Sequence, residues 1–221
     1  NEVKTLDQRL WVIFLSLSLI IAPYIMYILL GTQNMQGRFL LGIPLCQAYF
    51  IATGLHITQK RNKVIRNIIL VGSIYILFLN ARNMNILFYN ASIVAEHDKV
   101  IANELMYDIK RKGFDYSSKP IVYIGACHTD YIDIQTTDTI GHSIFQWDGG
   151  NPYRIQTFLE TEGYLTLIPS ANLIQQAYTT YLSADMQPWP NENSIIETEN
   201  SIIVFFSTPT EQWFGVNGVQ K

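Results

Sequence analysis

The chain has 221 residues, of which 48% are apolar and 15% charged, too apolar for a disordered segment and too poor in charge for an ordinary soluble domain. Residues 1–80 carry seven Lys and Arg against two acids, net +5, whereas residues 81–221 carry eight against sixteen, net −8. The basic residues sit beside apolar stretches and the acidic part would repel phosphate backbones, which argues against a nucleic-acid partner. Cys46 and Cys127 fall one in each part, so a disulfide scaffold is not expected either.

Between Leu10 and Gln59 the one charged side chain is Arg38, a composition that belongs in a membrane. Leu10–Leu30 is uncharged for 21 residues, the length that a helix rising about 1.5 Å per residue needs to cross about 30 Å of hydrocarbon. It is longer than a signal-peptide core and lacks a small-residue cleavage site after it. Pro23 in mid-span predicts a kink. A second span is expected over 39–57, with Pro44 near its start. A third is expected within 65–81, where fifteen uncharged residues separate Arg66 from Arg82 and both arginines must snorkel outward. Residues 1–82 thus read as a transmembrane region of three helices.

The loop Thr58–Arg66 holds Lys60, Arg61, Lys63 and Arg66 and no acid, which places it in the cytoplasm by the positive-inside rule. Counting crossings leaves the N-terminus inside, Gly31–Arg38 outside, and residues 83–221 outside as an extracytoplasmic domain of a multi-pass protein of the cytoplasmic membrane. Arg38 falls at the outer edge of the second span. It reads as a snorkelling anchor or as a guanidinium set to pair with a phosphate or lipid headgroup.

In the water-exposed part, Ile93, Val94, Val100, Ile101, Leu105, Met106 and Ile109 recur at helical intervals. They predict an amphipathic helix over Ser92–Lys112 that ends at Gly113. Pro120–Gly125 reads as a buried strand, and Ala126–Gly150 as a long polar loop. Asn151-Pro152 caps a helix closed by Gly163. Tyr164–Ile168 reads as a second strand, Asn172–Leu182 as a third helix, and Ile195–Ile196 with Ile202–Phe206 as a hairpin. The expected fold class is three membrane helices followed by a small α/β domain.

Walker loops, dinucleotide turns, paired cysteine motifs and nucleophile elbows are absent from the sequence. The densest polar cluster is His142 to Asn151 followed by Arg154, an imidazole, an indole and a carboxylate ahead of a helix N-terminus, where oxygen-rich ligands are readily held. The plainer alternative is that Asp148 and Asn151 make a turn and a cap while Trp147 fills the core. His128, Asp130, Asp133 and Asp138 match no compact ligand motif and read as a solvated acidic loop, so no metal or other cofactor is called for. Trp189, between Pro188 and Pro190, offers an indole for a sugar ring, for the membrane interface, or for its own domain. Asn90-Ala91-Ser92 fits a glycosylation sequon.

The succession Asn83-Met84-Asn85-Ile86-Leu87-Phe88-Tyr89-Asn90, Asp98-Lys99, Ala102-Asn103, Lys119-Pro120, Gly125, Gly141-His142-Ser143-Ile144-Phe145-Gln146-Trp147-Asp148, Arg154, Gly163-Tyr164 and Met186-Gln187-Pro188-Trp189-Pro190 resembles the C-terminal part of the bacterial type II glucosyl transferase family. The resemblance covers most of residues 37–206 and rests on the order of short motifs. It implies a polytopic enzyme of the C-type glycosyltransferase class, which takes glucose from a polyprenyl-phosphate carrier and adds it to O-antigen or another cell-surface polysaccharide. The implied partners are membrane lipid, the lipid-linked donor, the polysaccharide acceptor and a missing N-terminal transmembrane part. Gly31–Arg38 contains none of the acidic residues expected in an early outer loop, so the chain reads either as the C-terminal piece of a longer enzyme that carries them upstream or as a truncated relative without activity. The expected substrate-binding residues are Arg38, His142, Asp148, Arg154 and Trp189, with the catalytic base unassigned. A non-enzymatic membrane-anchored module that binds a glycan or protein is the alternative.

Overall fold

The computed structural model describes residues 6–21, 24–25, 42–58, 62–128 and 140–220. Arg38, Asp130, Asp133 and Asp138 lie outside the described residues. The protein is mostly helical, with a small three-stranded sheet and one long apolar helix. It divides into two compact units whose main boundary falls between Phe88 and Tyr89.

The first unit begins with α1 (Leu6–Ile21) and α2 (Gly42–Thr58), helices of 16 and 17 residues. Leu10–Leu15 of α1 are exposed in succession, so this stretch of the helix presents apolar side chains on every side. Thr58 closes α2 by donating from Oγ1 to the Gly54 carbonyl at 2.8 Å. Asn62 opens the next helix, its Oδ1 accepting from Val64 N at 2.9 Å, as an N-cap side chain does. That helix, α3 (Lys63–Arg111), is 49 residues long and, among the described residues, alone is long and apolar enough to cross a membrane.

The expected third span and the expected amphipathic helix are therefore one element, not two. Residues 82–91 hold neither Pro nor Gly, so nothing in the sequence stops the first before the second begins. The character of α3 changes along its length, because its buried residues begin at Asn90 and recur through Val94, Asp98, Ile101, Leu105 and Ile109. Asn90 is itself buried in mid-helix, which removes the sequon as an acceptor.

The second unit is built on the sheet β1 (Ile121–Ile124), β3 (Ile202–Phe205) and β2 (Ile195–Glu197), in the order β1-β3-β2. β1 runs parallel to β3, with Ile121 opposite Ile202, and β2 runs antiparallel to β3. All four residues of β1 and of β3 are buried, as expected of strands covered on both faces. Alternation sorts them. Ile121, Tyr123, Ile202 and Val204 pack with Ile101, Leu105 and Ile109 of α3 and with Ile155 and Leu159 of α4 (Pro152–Thr161). Val122, Ile124, Ile203 and Phe205 pack with Ile174 and Ala177 of α5 (Ala171–Ser183) and with Trp213 of α6 (Glu211–Asn217). The result is an α/β layer arrangement with the sheet between two sets of helices.

Two further expectations are corrected. Tyr164–Ile168 forms no strand and joins no sheet among the described residues. Thr166 points inward, its carbonyl accepting from Gln156 Nε2 at 2.8 Å, while Leu165, Leu167 and Ile168 are exposed. Cys127, placed by sequence in a polar loop, is buried in the core. Burial and the neighbouring Asp98 charge push its thiol up to about 12.

Candidate functional site

The His142–Arg154 segment follows the end of β1 in space, because Cys127 N donates to the Phe145 carbonyl at 3.2 Å. From there the chain winds tightly. The Ser143 carbonyl accepts from Gln146 N at 3.1 Å and from Trp147 N at 3.0 Å, and the Trp147 carbonyl accepts from Gly150 N and Asn151 N, both at 3.1 Å. Three successive residues, Asp148, Gly149 and Gly150, have positive φ of 53°, 73° and 91°. Asp148 is the one non-glycine residue in that region among the described residues; Asp tolerates it better than most side chains. The turn delivers the chain into α4, where Asn151 Oδ1 accepts from Tyr153 N at 3.0 Å and Pro152 occupies the first helical position. The predicted cap is present, and Asn151 supplies it.

This winding brings three of the expected residues together. Arg154 Nε donates to Asp148 Oδ2 at 2.7 Å, with the two side chains 43% and 31% exposed, so the pair is open to solvent and to a ligand. The Arg154 guanidinium carbon also lies 4.6 Å from the centre of the Trp147 ring, within cation–π range. His142 is exposed, and its ring centre is 6.2 Å from that of Trp147 at 47°. Trp147 is half-buried rather than a core filler. It belongs to the site and is the residue that the expected set of substrate contacts omits.

Trp189 does not join them. Its Nε1 donates to Asp108 Oδ2 on α3 at 3.2 Å, its backbone N–H donates to the Phe205 carbonyl at 2.8 Å, and its ring meets Phe206 edge-on at 6.1 Å. The indole is a packing element at the margin of the core. His128 is exposed, and no group of three His, Cys, Asp or Glu among the described residues is placed to hold a metal ion.

Asp98 and Ser143 also shape the site. Asp98 on α3, 1% exposed, accepts from Ser143 Oγ at 2.6 Å and from Ile144 N at 2.8 Å. Desolvation raises its pKa above the ordinary 3.8, against those two hydrogen bonds and the nearby His97. A signal for Asp98 exists in the sequence: a carboxylate in register with Val94, Ile101 and Leu105 on the apolar stripe of an amphipathic helix must have a buried partner.

No family model, curated protein or solved structure matches this chain. Function is therefore argued from the chemistry of the site. A carboxylate and a guanidinium held side by side offer acceptors and donors at one spacing, and the indole beside them offers an apolar face. Because Asp148 neutralises Arg154, the pair suits a neutral, hydroxyl-bearing ring better than a free phosphate.

Proposed function

We propose that the protein is a membrane-embedded glucosyltransferase of the polyprenyl-phosphate-dependent kind, or the C-terminal portion of one, whose water-exposed unit holds the acceptor glycan at His142, Trp147, Asp148 and Arg154. The observation that carries this reading is the Asp148–Arg154 pair set against the Trp147 indole. The ordered motifs of residues 37–206 and the charge asymmetry along the chain support it. In this reading α1, α2 and the first part of α3 are three spans, and the second unit is extracytoplasmic. The lipid-linked sugar is the donor, and Arg38 contacts its phosphate at the outer interface. A carboxylate elsewhere in the enzyme deprotonates the acceptor hydroxyl while cationic groups stabilise the departing phosphate.

A second reading, a non-enzymatic membrane-anchored glycan-binding module, is favoured by one observation. The two carboxylates at the site are both engaged, Asp148 by Arg154 and Asp98 by Ser143 and Ile144, so neither is poised as a base. Transfer of labelled sugar from a polyprenyl-phosphate carrier by membranes containing the complete protein separates the readings. Trp147→Ala and Arg38→Ala are expected to abolish transfer with insertion unchanged. Full transfer by both variants removes the roles assigned here; oligosaccharide binding without transfer selects the module. Sidedness is read by labelling Glu199→Cys, in the exposed turn between β2 and β3, with an impermeant maleimide on intact cells. Labelling that needs broken cells places the unit in the cytoplasm and refutes the proposal.

A further inference from the structure

On the buried stripe of α3 the neighbours of Asp98 in register are the aliphatic Val94, Ile101 and Leu105. A carboxylate there loses its hydration and gains less than a packed hydrocarbon would, so packing does not account for it. What Asp98 does instead is hold a corner of the chain 45 residues away. One oxygen accepts from Ser143 Oγ at 2.6 Å and the other from Ile144 N at 2.8 Å. Ser143 hands this constraint on: its Oγ accepts from Phe145 N at 3.1 Å, and its carbonyl accepts from Gln146 N and Trp147 N. The links from the helix to the indole are unbroken. His142 lies immediately before the corner and Trp147–Asp148 immediately after it.

We infer that Asp98 is the positioning residue of the glycan site, a rigid acceptor on α3 that fixes the distance between the His142 imidazole and the Trp147 indole through Ser143. The inference rests on the reading of that cluster as a ligand site. Its physical content is preorganisation: a site on a loop binds well only if the loop is already in its bound shape. The stretch of α3 from Asn90 to Ile109, packed along its inner face, is the stiffest element available to impose that shape. Asn at position 98 keeps one acceptor for Ile144 N–H and presents an NH2 group to Ser143 Oγ, so the corner survives in a neutral, weaker form. Asp98→Asn is therefore the informative change, and Ser143→Ala cuts the same link from the other side.

The test uses the full chain in lipid nanodiscs and two readouts. The first needs no ligand. A protonated imidazole quenches an adjacent indole, so the fluorescence step on acidification, taken as the difference between the parent chain and His142→Gln, reports whether the two rings are held together. The second is calorimetric titration with a neutral glucose oligosaccharide. Asp98→Asn is expected to keep its far-ultraviolet circular dichroism, to show a smaller fluorescence step, and to bind the oligosaccharide about tenfold more weakly. If that variant fails to fold, Ser143→Ala is read in the same way. A fluorescence step unchanged in the folded variants, or absent from the parent chain, overturns the inference. Reduction of the step in a protein whose parent form binds no oligosaccharide leaves the positioning role standing and removes the glycan reading.

Discussion

Gly150 is the position where backbone geometry and the site meet most tightly, and Gly150→Ala tests that junction. Its φ is 91°, and a Cβ there would lie 2.4 Å from the Gly125 carbonyl oxygen and 3.2 Å from Ala126 Cα. Both obstacles are backbone atoms just beyond β1, where the Ile124 carbonyl is pinned by Phe206 N at 2.9 Å, so they cannot swing aside as a side-chain tip would. The conformational penalty alone is about 1–2 kcal/mol, and relieving the clash by shifting packed backbone adds about 1–3 kcal/mol. Gly163 supplies the control, because its φ is 89° and nothing lies within 4 Å of its Cβ position. Gly163→Ala should cost only the conformational part. Urea unfolding followed by near-ultraviolet circular dichroism, which reports the packed tryptophans, should give a cost for Gly150→Ala larger by about 1–3 kcal/mol than for Gly163→Ala. Equal costs for the two variants would mean that the turn does not pack against the end of β1 as described.

Other measurements probe separate parts of the account. Asp98 has a folded-state pKa raised above 3.8 by burial. Between the ordinary and the raised value the native chain therefore holds a proton that the unfolded chain has released. The stabilising contribution is complete below the ordinary value and is lost as pH rises through the folded one; the urea midpoint of the parent chain should fall across that window relative to Asp98→Asn, and a rise would contradict the sign. Trp213 is fully buried and its Nε1 donates to the Tyr123 carbonyl at 3.1 Å, so Trp213→Phe should cost about 2–4 kcal/mol through the lost hydrogen bond and the space left behind. With its thiol pushed up to about 12 and its side chain in the core, Cys127 should resist maleimide in a Cys46→Ser background until urea is added; prompt labelling of the folded chain would show that the core opens there. Arg154→Gln should leave the Trp147 ring uncovered on one side, raising its accessibility to acrylamide quenching, and no change would count against the 4.6 Å cation–π contact.

Local signals carried much of the second unit. The Asn151-Pro152 pair fixed the start of α4 because capping and a preset proline φ are properties of adjacent residues. The apolar run Ile121–Ile124 and the hairpin residues were equally legible, as was the stripe of α3 beyond Asn90. The seven residues of α6 were not: Pro209 precedes them and Gly215 interrupts them, and the helix is held by the burial of Trp213 against the sheet. Tyr164–Ile168 had strand-forming residues and found no partner, since pairing is settled by what lies alongside and not by propensity.

The amino-acid order by itself determined the division between an apolar, basic part and an acidic, mixed one, and it placed the apolar stretch that gives α3 the length and composition to cross a membrane. It also determined most of the helical segments of the second unit and where the polar cluster lies, since these follow from composition, periodicity and neighbouring residues. Tertiary structure alone decided that β1 lies parallel to β3, that Trp147 faces Arg154 while Trp189 turns to Asp108, and that Asp98 reaches Ser143. Apart from the local Trp147–Arg154 contact, each of these joins residues far apart in the chain, and such contacts form only when the buried surfaces on both sides of the sheet close together.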